Sequence, residues 1–241
     1  MSDWFIRPFE TFEDHVQSLR VQRAIWSNDL PVPPHISLAI VRRGGVALGA
    51  FTAQGEMIGC VLSFLGWSRY GLCHHSHFAA VVEGWRDKGI GEALKQAQRR
   101  AVLAQGIRLI TWTYDPLQAR NARLNIGKLR AICRTYIRDA YGPDPSGLPT
   151  DRFEVEWWLD EDPRRPGLTM EIPIPLNFQA LRESNPEQAL SLRMRARQQF
   201  EQAFAEGFVV TDFAVRSDQG VYTLTQFDAP NKSTGANQPE G

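Results

Sequence analysis

The chain has no excess of charge, because 27 lysines and arginines balance 27 aspartates and glutamates among its 241 residues. It therefore has no net field that would attract nucleic acid or an anionic membrane surface. No uninterrupted apolar run approaches the ~20 residues that span a bilayer, and the first ten residues lack a basic segment followed by an apolar one. We expect no membrane-spanning helix, no signal peptide, and no nucleic-acid or membrane partner.

Cysteine is also scarce. Cys60, Cys73 and Cys133 are odd in number and widely spaced, which disfavours a disulfide framework or a zinc site and favours reduced core thiols in a cytoplasmic protein. The length allows one large domain, or one domain with a smaller appendage.

Apolar periodicity predicts a mixture of strands and helices over the first two thirds of the chain. Strands are predicted at 4–9, 37–43, 44–55, 56–67, 73–82, 107–114, 135–142 and 151–159, and helices at 11–26 (with Thr11 as N-cap), 89–105 and 116–132. The order indicates an α/β fold of the α+β type, with a mixed sheet of parallel and antiparallel pairs and no regular βαβ repeat.

A polar segment at 160–167 interrupts this pattern and predicts a domain boundary. We therefore divide the chain into a domain at 1–160, a helix–hairpin extension at 168–228 and a disordered tail at 229–241. The extension is predicted as αββ, with a helix at 186–206 and a hairpin over 208–227. An open edge on that hairpin would allow a homodimer.

The stretch "EGWRDKGIGEAL" (83–94) places Gly89 and Gly91 where a helix begins. Successive backbone amides from Asp87 to Glu92 can point at one anion there, and the helix dipole adds about half a positive charge. Leu94 stands where the dinucleotide fingerprint needs its third glycine, and the Gly-Lys-Ser/Thr of a Walker A loop is absent. An ordinary glycine-softened turn before a helix remains the alternative.

Arg86, Gly89 and Gly91 form an Arg-x-x-Gly-x-Gly sequence. It resembles the acyl-CoA pyrophosphate motif of the GNAT superfamily of N-acetyltransferases, Gln/Arg-x-x-Gly-x-Gly/Ala, and its place between a strand and a helix resembles the GNAT core. The resemblance spans residues 4 to 159. Stretches 111–125 and 147–159 resemble a subgroup of larger, poorly characterised GNAT-like proteins. The resemblance implies a GNAT-like acyl-CoA N-acyltransferase fold, to which the C-terminal αββ extension is added.

The resemblance also implies how an acyl donor is held. The donor would be acetyl-CoA or another acyl-CoA such as succinyl-CoA. Its pantetheine would pair with the strand end at Val81 and Val82, and an asparagine of the following helix, Asn121 or Asn125, would touch it unless both lie on a solvated helix face. The residues of the loop would hold the pyrophosphate: Arg86, Asp87, Lys88, Gly89, Ile90 and Gly91.

"HHSH" supplies candidates for a catalytic base. On a strand His75 and His77 share one face and His74 lies on the other. Arylalkylamine N-acetyltransferases, which belong to the superfamily, carry a His-x-His pair at the matching place. We therefore take His77 as the base or water-positioning residue, with His75 and Glu83 as further candidates. A hydrogen-bonded core histidine and a zinc ligand remain alternatives, although no cysteine or carboxylate cluster accompanies the pair.

A general acid is harder to find. Many GNAT enzymes use the tyrosine of a pattern like Tyr-x-Lys-Leu-Gly-Phe, and aligning Lys128 and Leu129 to it puts Ile126 at the tyrosine position. Tyr114, Tyr136 or solvent could replace that acid, or the thiolate could leave unprotonated.

Two arginines are candidates for binding a carboxylate. Arg152 or Arg120 could hold one on an amino-acid acceptor or a dicarboxylic acyl donor. Arg152 could equally form a surface ion pair with Asp151.

These patterns predict an acyl-CoA-dependent N-acyltransferase. It would move an acetyl or other short acyl group, including succinyl, to an amine of a small molecule or amino acid. One alternative is a non-catalytic acyl-CoA-binding or regulatory module on the same fold. Another is a partner-binding protein without a ligand.

Overall fold

The chain is described by a computed structural model over residues 3–26, 31–142, 144 and 146–227. The tail predicted to be disordered, 229–241, lies outside these residues. The strands are β1 (Trp4–Pro8), β2 (Val46–Thr52), β3 (Met57–Ser68), β4 (Gly71–Val81), β5 (Leu109–Tyr114), β6 (Ile132–Ile137), β7 (Arg152–Trp158), β8 (Gly167–Pro175), β9 (Phe208–Arg216) and β10 (Gln219–Phe227). The helices are α1 (Phe12–Ile25), α2 (Pro34–Arg42), α3 (Ile90–Leu103), α4 (Ala119–Ala122), α5 (Phe178–Ser184) and α6 (Pro186–Ala205). A 3₁₀ turn (Glu83–Trp85) precedes α3, and a π-helical turn (Arg123–Lys128) continues α4.

The ten strands form one sheet in the order β1-β2-β3-β4-β5-β7-β6-β9-β10-β8. Each neighbouring pair is antiparallel except β4 and β5, which run parallel. The mixed sheet predicted from the sequence is therefore confirmed. No helix in the described part of the chain is both long and apolar enough to cross a membrane.

Helices cover the two faces of the sheet unequally. On one face α3, α4, α5 and α6 share a large apolar core, to which they contribute Leu94, Ala122, Phe178 and Phe200 respectively. On the other face α1 and α2 pack over β2, β3 and β4 in a smaller apolar cluster.

Beyond that cluster, the second face of β5 and β7 is polar. Ile110 and Trp112 of β5 belong to the large core, as do Phe153 and Val155 of β7. Successive strand residues point to opposite faces. The alternate residues Thr111, Thr113, Glu154 and Glu156 therefore lie on the face that carries α1 and α2.

Helix α1 begins as predicted. The Thr11 hydroxyl accepts the backbone N–H of Asp14, and the Asp14 carboxylate accepts the backbone N–H of Thr11 in return, which completes a capping box.

The prediction of a strand over 37–43 is wrong, because this segment belongs to helix α2. A short apolar run fits either a strand or a buried helix. Pro34 decides the outcome, since proline at the first helical position sets the backbone angle that a helix needs. Ile40 and Val41 then pack into the smaller apolar cluster.

The helix predicted at 116–132 is shorter in the structure. It starts at Ala119, because Pro116 to Gln118 form a turn in which the Asp115 carboxylate accepts the Leu117 backbone N–H at 2.9 Å. Its π-helical end stops at Lys128, and β6 begins at Ile132 rather than at residue 135.

The C-terminal segment is βααββ rather than αββ, because β8 and α5 were not predicted. It continues the same sheet, and β8 pairs with the outer edge of β10 along its whole length. The hairpin edge proposed for dimerisation is therefore covered. Strand β8 forms the outer edge instead, where Pro173 and Pro175 offer no N–H group to another strand.

Candidate functional site

The parallel strands β4 and β5 separate soon after they meet. They pair only at His74 with Ile110 and at His75 with Thr111. Beyond this point β4 stays paired with β3 up to Val81, and β5 stays paired with β7 up to Tyr114. The facing edges of the two strands therefore border a gap in which backbone N–H and C=O groups can receive an extended ligand.

The glycine loop lies at the wide end of this gap. Asp87 has φ +61° and Gly89 has φ +80°, and Gly89 is the N-cap of α3. These left-handed conformations turn the chain so that the first amides of α3 lack helical partners and point outward. A Cβ added at Gly89 would meet no atom within 4 Å. Gly89 is therefore needed for its backbone conformation, and the space beside it is open to a ligand.

Side chains around the loop fix its shape. Ile90 is buried and anchors the first turn of α3, while the Lys88 ammonium lies 4.5 Å from the centre of the Trp85 ring. Asp87 forms an exposed ion pair with Arg120 at 3.1 Å. Arg120 is therefore a neighbour of the loop and has an acidic partner.

Gly91 is less constrained than Gly89. A Cβ there would be 3.8 Å from Leu124 and 3.9 Å from Val81, which are ordinary contacts. Packing alone therefore does not require a glycine at position 91.

The backbone of the two valines at the strand end is used differently. Val82 donates its N–H to Ile58 and accepts the N–H of Trp85, both at 3.0 Å, so both of its backbone groups are engaged. Successive strand residues direct their backbone groups to opposite edges, so those of Val81 face the gap. Its carbonyl accepts Nε of Arg86 at 3.2 Å and keeps a second lone pair.

The two candidate asparagines differ in exposure. Asn121 is exposed on α4, whereas Asn125 is buried in the π-helical turn. Single π turns are frequent at functional sites. Asn125 thus has the more restricted position, next to Ile126, which is fully buried.

The histidines divide between the faces as the alternation predicts. His74 is buried on the α3 side, with Nδ1 3.0 Å from Ser63 and Nε2 2.8 Å from Gln105. His75 and His77 both contact the ring of Phe64, at 5.2 and 6.0 Å between ring centres. His74 is therefore a satisfied core residue, and the other two histidines share the opposite face.

The rings of His75 and His77 are protonated less readily than a free imidazole. Nδ1 of His75 lies 3.4 Å from Oγ1 of Thr111, at the last paired position before the gap. Desolvation lowers the pKa of His75, and the charges of His77 and Lys95 lower it further. Although His77 reaches solvent, desolvation against its aromatic neighbours also lowers its pKa. Both imidazoles are therefore neutral at pH 7.

Glu83 lies apart from these histidines. It is exposed in the 3₁₀ turn, where its backbone carbonyl accepts the N–H of Arg86 at 3.1 Å. Its carboxylate therefore lies at the surface, beside the glycine loop.

Neither of the two tyrosines proposed as the general acid is free to serve as one. The Tyr114 hydroxyl is buried and 3.0 Å from the Tyr222 hydroxyl, and burial raises its pKa well above the ordinary value. The Tyr136 hydroxyl donates to Asp151 at 2.7 Å, and burial and this carboxylate raise its pKa. Protonation by solvent, and departure of the thiolate without protonation, therefore remain.

Arg152 does not pair with the Asp151 carboxylate. That carboxylate is fully buried and accepts two N–H groups of Arg197, at 2.6 and 2.9 Å. The Arg152 guanidinium lies instead 5.3 Å from the centre of the Tyr141 ring.

Two charged residues near the gap were missed from the sequence. Lys95 is buried on α3, where desolvation lowers its pKa to about 7. Glu154 is half-buried on β7, and burial together with the charge of Glu156 raises its pKa. The sequence did carry a signal for Lys95. Lys95 and Gln98 form a polar pair at i and i+3 beside the apolar stripe of α3. Within the described ranges no three His, Cys, Asp or Glu side chains come together to hold a metal ion.

No protein-family model matches the sequence, and no curated protein matches it. Solved structures do. A chain of the NatC complex bound to Gag peptide and CoA is 14% identical, with a TM-score of 0.54 over 66% of this chain and 99% of that chain. NAA60 of Arabidopsis thaliana with a bisubstrate analogue is 17% identical, with a TM-score of 0.53 over 65% and 99%. The ribosomal-protein-S18-alanine N-acetyltransferase of Escherichia coli is 14% identical, with a TM-score of 0.53 over 68% and 99%. Together with the separation of β4 from β5 and the glycine loop before α3, these likenesses show that the chain has the GNAT N-acetyltransferase fold.

Proposed function

We propose that the protein is an acyl-CoA-dependent N-acyltransferase. It moves an acetyl or another short acyl group, succinyl among them, to an amine of a small molecule or amino acid. The observation that carries the proposal is the gap between β4 and β5 with the Gly89 loop at its wide end. Proteins with the same fold support it, since the NatC structure contains CoA and a peptide, and a structure of Arabidopsis thaliana NAA60 contains acetyl-CoA.

The residues of the site divide between holding the donor and moving protons. The amides from Arg86 to Gly91 would hold the pyrophosphate, and the Val81 backbone would pair with the pantetheine. Bound acyl-CoA would supply a thioester, whose C–S bond breaks as the amine nitrogen bonds to the carbonyl carbon; CoA then leaves as a thiolate, and the second proton of the nitrogen goes to solvent. His77 or His75 accepts the proton that the ammonium must lose before it can attack. A water relay serves His77 equally well, since that side chain reaches solvent.

A non-catalytic acyl-CoA-binding module is the second candidate, and one observation favours it. Ile126 is fully buried at the position where the resemblance expects a tyrosine acid, and Tyr114 and Tyr136 are engaged elsewhere. Binding of acyl-CoA without release of CoA thiol in the presence of any amine would support this module over the enzyme.

Calorimetric titration with CoA, acetyl-CoA and succinyl-CoA tests the proposal. We expect binding of at least one, and the acyl group bound most tightly selects the donor for an amine screen that follows thiol release. Folded protein that binds none of the three would contradict the proposal.

Gly89→Trp locates the binding site, because the bulky side chain would enter the open space beside the loop. Gly106→Trp is the matched control. Gly106 also has a positive φ, +76°, and open space around its Cβ, but it lies beyond the other end of α3. We expect CoA affinity to be lost in the first variant only. Equal affinity in both folded variants would contradict the placement.

We also propose a cytoplasmic location, which three free and buried cysteines support. A homodimer remains a proposal. It would need a surface other than the 208–227 hairpin edge, and light scattering on the purified protein tests it.

A further inference from the structure

A cavity of about 360 Å³ lies on the second face of the sheet, beside the point where β4 and β5 separate. Its walls come from the end of the β3–β4 hairpin and the middle of β5 and β7. Its lining includes Phe64, His75, Thr111 and Glu154. The cavity therefore combines an aromatic wall, an imidazole and a carboxylate next to the proposed donor site.

The carboxylate in this cavity belongs to Glu154. Glu156, its neighbour on the same face, is neutralised by Arg69 at 2.5 Å and Arg134 at 3.2 Å. Glu154 forms no hydrogen bond or ion pair with any residue that the structure describes, although the charge of Arg69 acts on it weakly. Two carboxylates of one strand face thus differ: one is satisfied within the protein, and the other is left facing the cavity.

The aromatic wall of the cavity is the ring of Phe64. This side chain is half-buried, and its ring centre lies 5.2 Å from that of His75. Trp67 is 81% exposed, but it is opposite Leu72 and three residues from Phe64 on β3, so its indole points to the other face of the sheet. Burying the Phe64 ring against an apolar ligand body removes apolar area from water. The wall therefore fits the body of a ligand, while Glu154 fits a positive group on it.

The position of the cavity decides which substrate it would hold. His75 and Thr111 line it, and they are also the last residues at which β4 and β5 pair. The gap that would receive the donor begins at the next residue of each strand. A ligand in the cavity therefore lies beside the reacting end of the donor rather than beside its pyrophosphate.

We propose that this cavity is the acceptor site and that Glu154 selects a cationic amine with an apolar or aromatic body. Glu154 holds the ammonium, and His75 takes its proton before the amine reacts. The second role rests on the proposed acyltransferase function, whereas the binding of a cation does not. Glu154 is thus a specificity-determining residue, and His75 joins His77 as a proton acceptor.

Three probes of nearly equal size test the charge preference: benzylamine, benzyl alcohol and benzoate. Each is small enough for the cavity, and at pH 7 they are cationic, neutral and anionic. Ligand-observed NMR titration measures their affinities for the full chain. A charge-assisted hydrogen bond to a carboxylate is about twice as strong as a neutral one, so we expect benzylamine to bind about tenfold more tightly than benzyl alcohol and benzoate to bind least. Equal affinity for the three, or no binding of benzylamine, would overturn the proposal.

Glu154→Gln removes the charge and keeps the shape of the side chain. Glu171→Gln is its control, because Glu171 lies on the remote strand β8 and pairs with Arg216 on the surface. We expect Glu154→Gln to abolish the preference for benzylamine over benzyl alcohol, and Glu171→Gln to retain it. Circular dichroism confirms that both variants are folded. A preference that survives in Glu154→Gln would refute the role of this carboxylate.

Titration of the same variants with CoA separates this inference from the proposed function. Both variants should bind CoA as the parent protein does, because Glu154 lies outside the glycine loop. If the protein prefers benzylamine to the other probes but binds no CoA derivative, the cation-binding site is supported and the acyltransferase function is contradicted. If the protein binds CoA but does not distinguish the three probes, the proposed function is supported and the proposed acceptor site is contradicted.

Discussion

Lys95 carries a charge that the fold does not neutralise. Its side chain is 3% exposed, and Nζ donates to Gln98 at 2.7 Å and to Ser76 at 3.1 Å. The ammonium also lies 3.8 Å from the centre of the Trp112 ring. None of the residues described in the structure offers it a carboxylate, and desolvation lowers its pKa to about 7.

This shift makes the stability of the protein depend on pH. The pKa falls from 10.5 to about 7 on folding, a difference of about 3.5 units, and each unit corresponds to about 1.4 kcal/mol. Between these pH values the unfolded state binds one proton more than the folded state, so stability rises with pH. We expect a rise of about 5 kcal/mol in the free energy of unfolding between pH 7 and 10.5. Below pH 7 the destabilisation by this group is complete and no longer changes with pH.

Lys95→Met removes this dependence with little change in shape. Methionine keeps the contact with the Trp112 ring, and Ser76 and Gln98 stay hydrogen-bonded to each other at 3.2 Å. At pH 6 the variant gains up to about 5 kcal/mol and loses roughly 1–3 kcal/mol of hydrogen bonding and cation–π contact. We therefore expect it to be about 2–4 kcal/mol more stable than the parent at pH 6, and to lose that advantage by pH 10.

Urea unfolding of parent and variant at each pH from 6 to 10 measures the difference. Lys128→Met is the control, because Lys128 is half-exposed and pairs with Glu92 on the surface. The difference in unfolding free energy between Lys128→Met and the parent should stay constant from pH 7 to pH 10. If the difference in unfolding free energy between Lys95→Met and the parent were also constant over this range, a lowered pKa for Lys95 in the folded protein would be refuted.

Three further results are expected. His77→Ala should lower kcat/KM by about 10²–10⁴-fold in a thiol-release assay, and unchanged kinetics would exclude His77 as the base. Arg193→Met should cost about 3–5 kcal/mol in urea unfolding, because it leaves the Asp115 carboxylate without the two 2.7 Å bonds it accepts; an unaltered midpoint would contradict this. Glu154→Gln should raise the Tm at pH 7, because the raised pKa means that ionisation of this carboxyl group opposes folding. That gain should vanish as the pH falls through the carboxyl pKa, and a lower Tm at pH 7 would contradict it.

Local chemistry was enough to predict the elements that position the proposed donor site. Gly89 and Gly106 carry the positive φ angles that bound α3, and such angles strongly favour glycine. Alternation along β4 likewise predicted that His75 and His77 would share a face. These features depend on neighbours in sequence, so they can be predicted from the sequence alone.

Features that depend on distant partners were not predicted. Strand β8 contains Pro173 and Pro175, which argue against a strand unless it lies at an edge. Its edge position is set by β10, some fifty residues later. The carboxylate of Glu154 becomes unusual only because Arg69 and Arg134 pair with Glu156 instead. A sequence pattern carries no sign of which of two carboxylates is left without a partner.

The C-terminal segment supports the proposed site through the end of β5. The Tyr222 hydroxyl donates to the Pro116 carbonyl at 2.9 Å and meets the Tyr114 hydroxyl at 3.0 Å, while Arg193 binds Asp115. All three contacts hold the end of β5 and the turn after it, where that strand borders the gap. Because these polar groups are buried, a change in the gap width would have to break costly hydrogen bonds. The segment therefore holds β5 in place at its separation from β4. We expect Arg193→Met to weaken CoA binding as well as to lower stability.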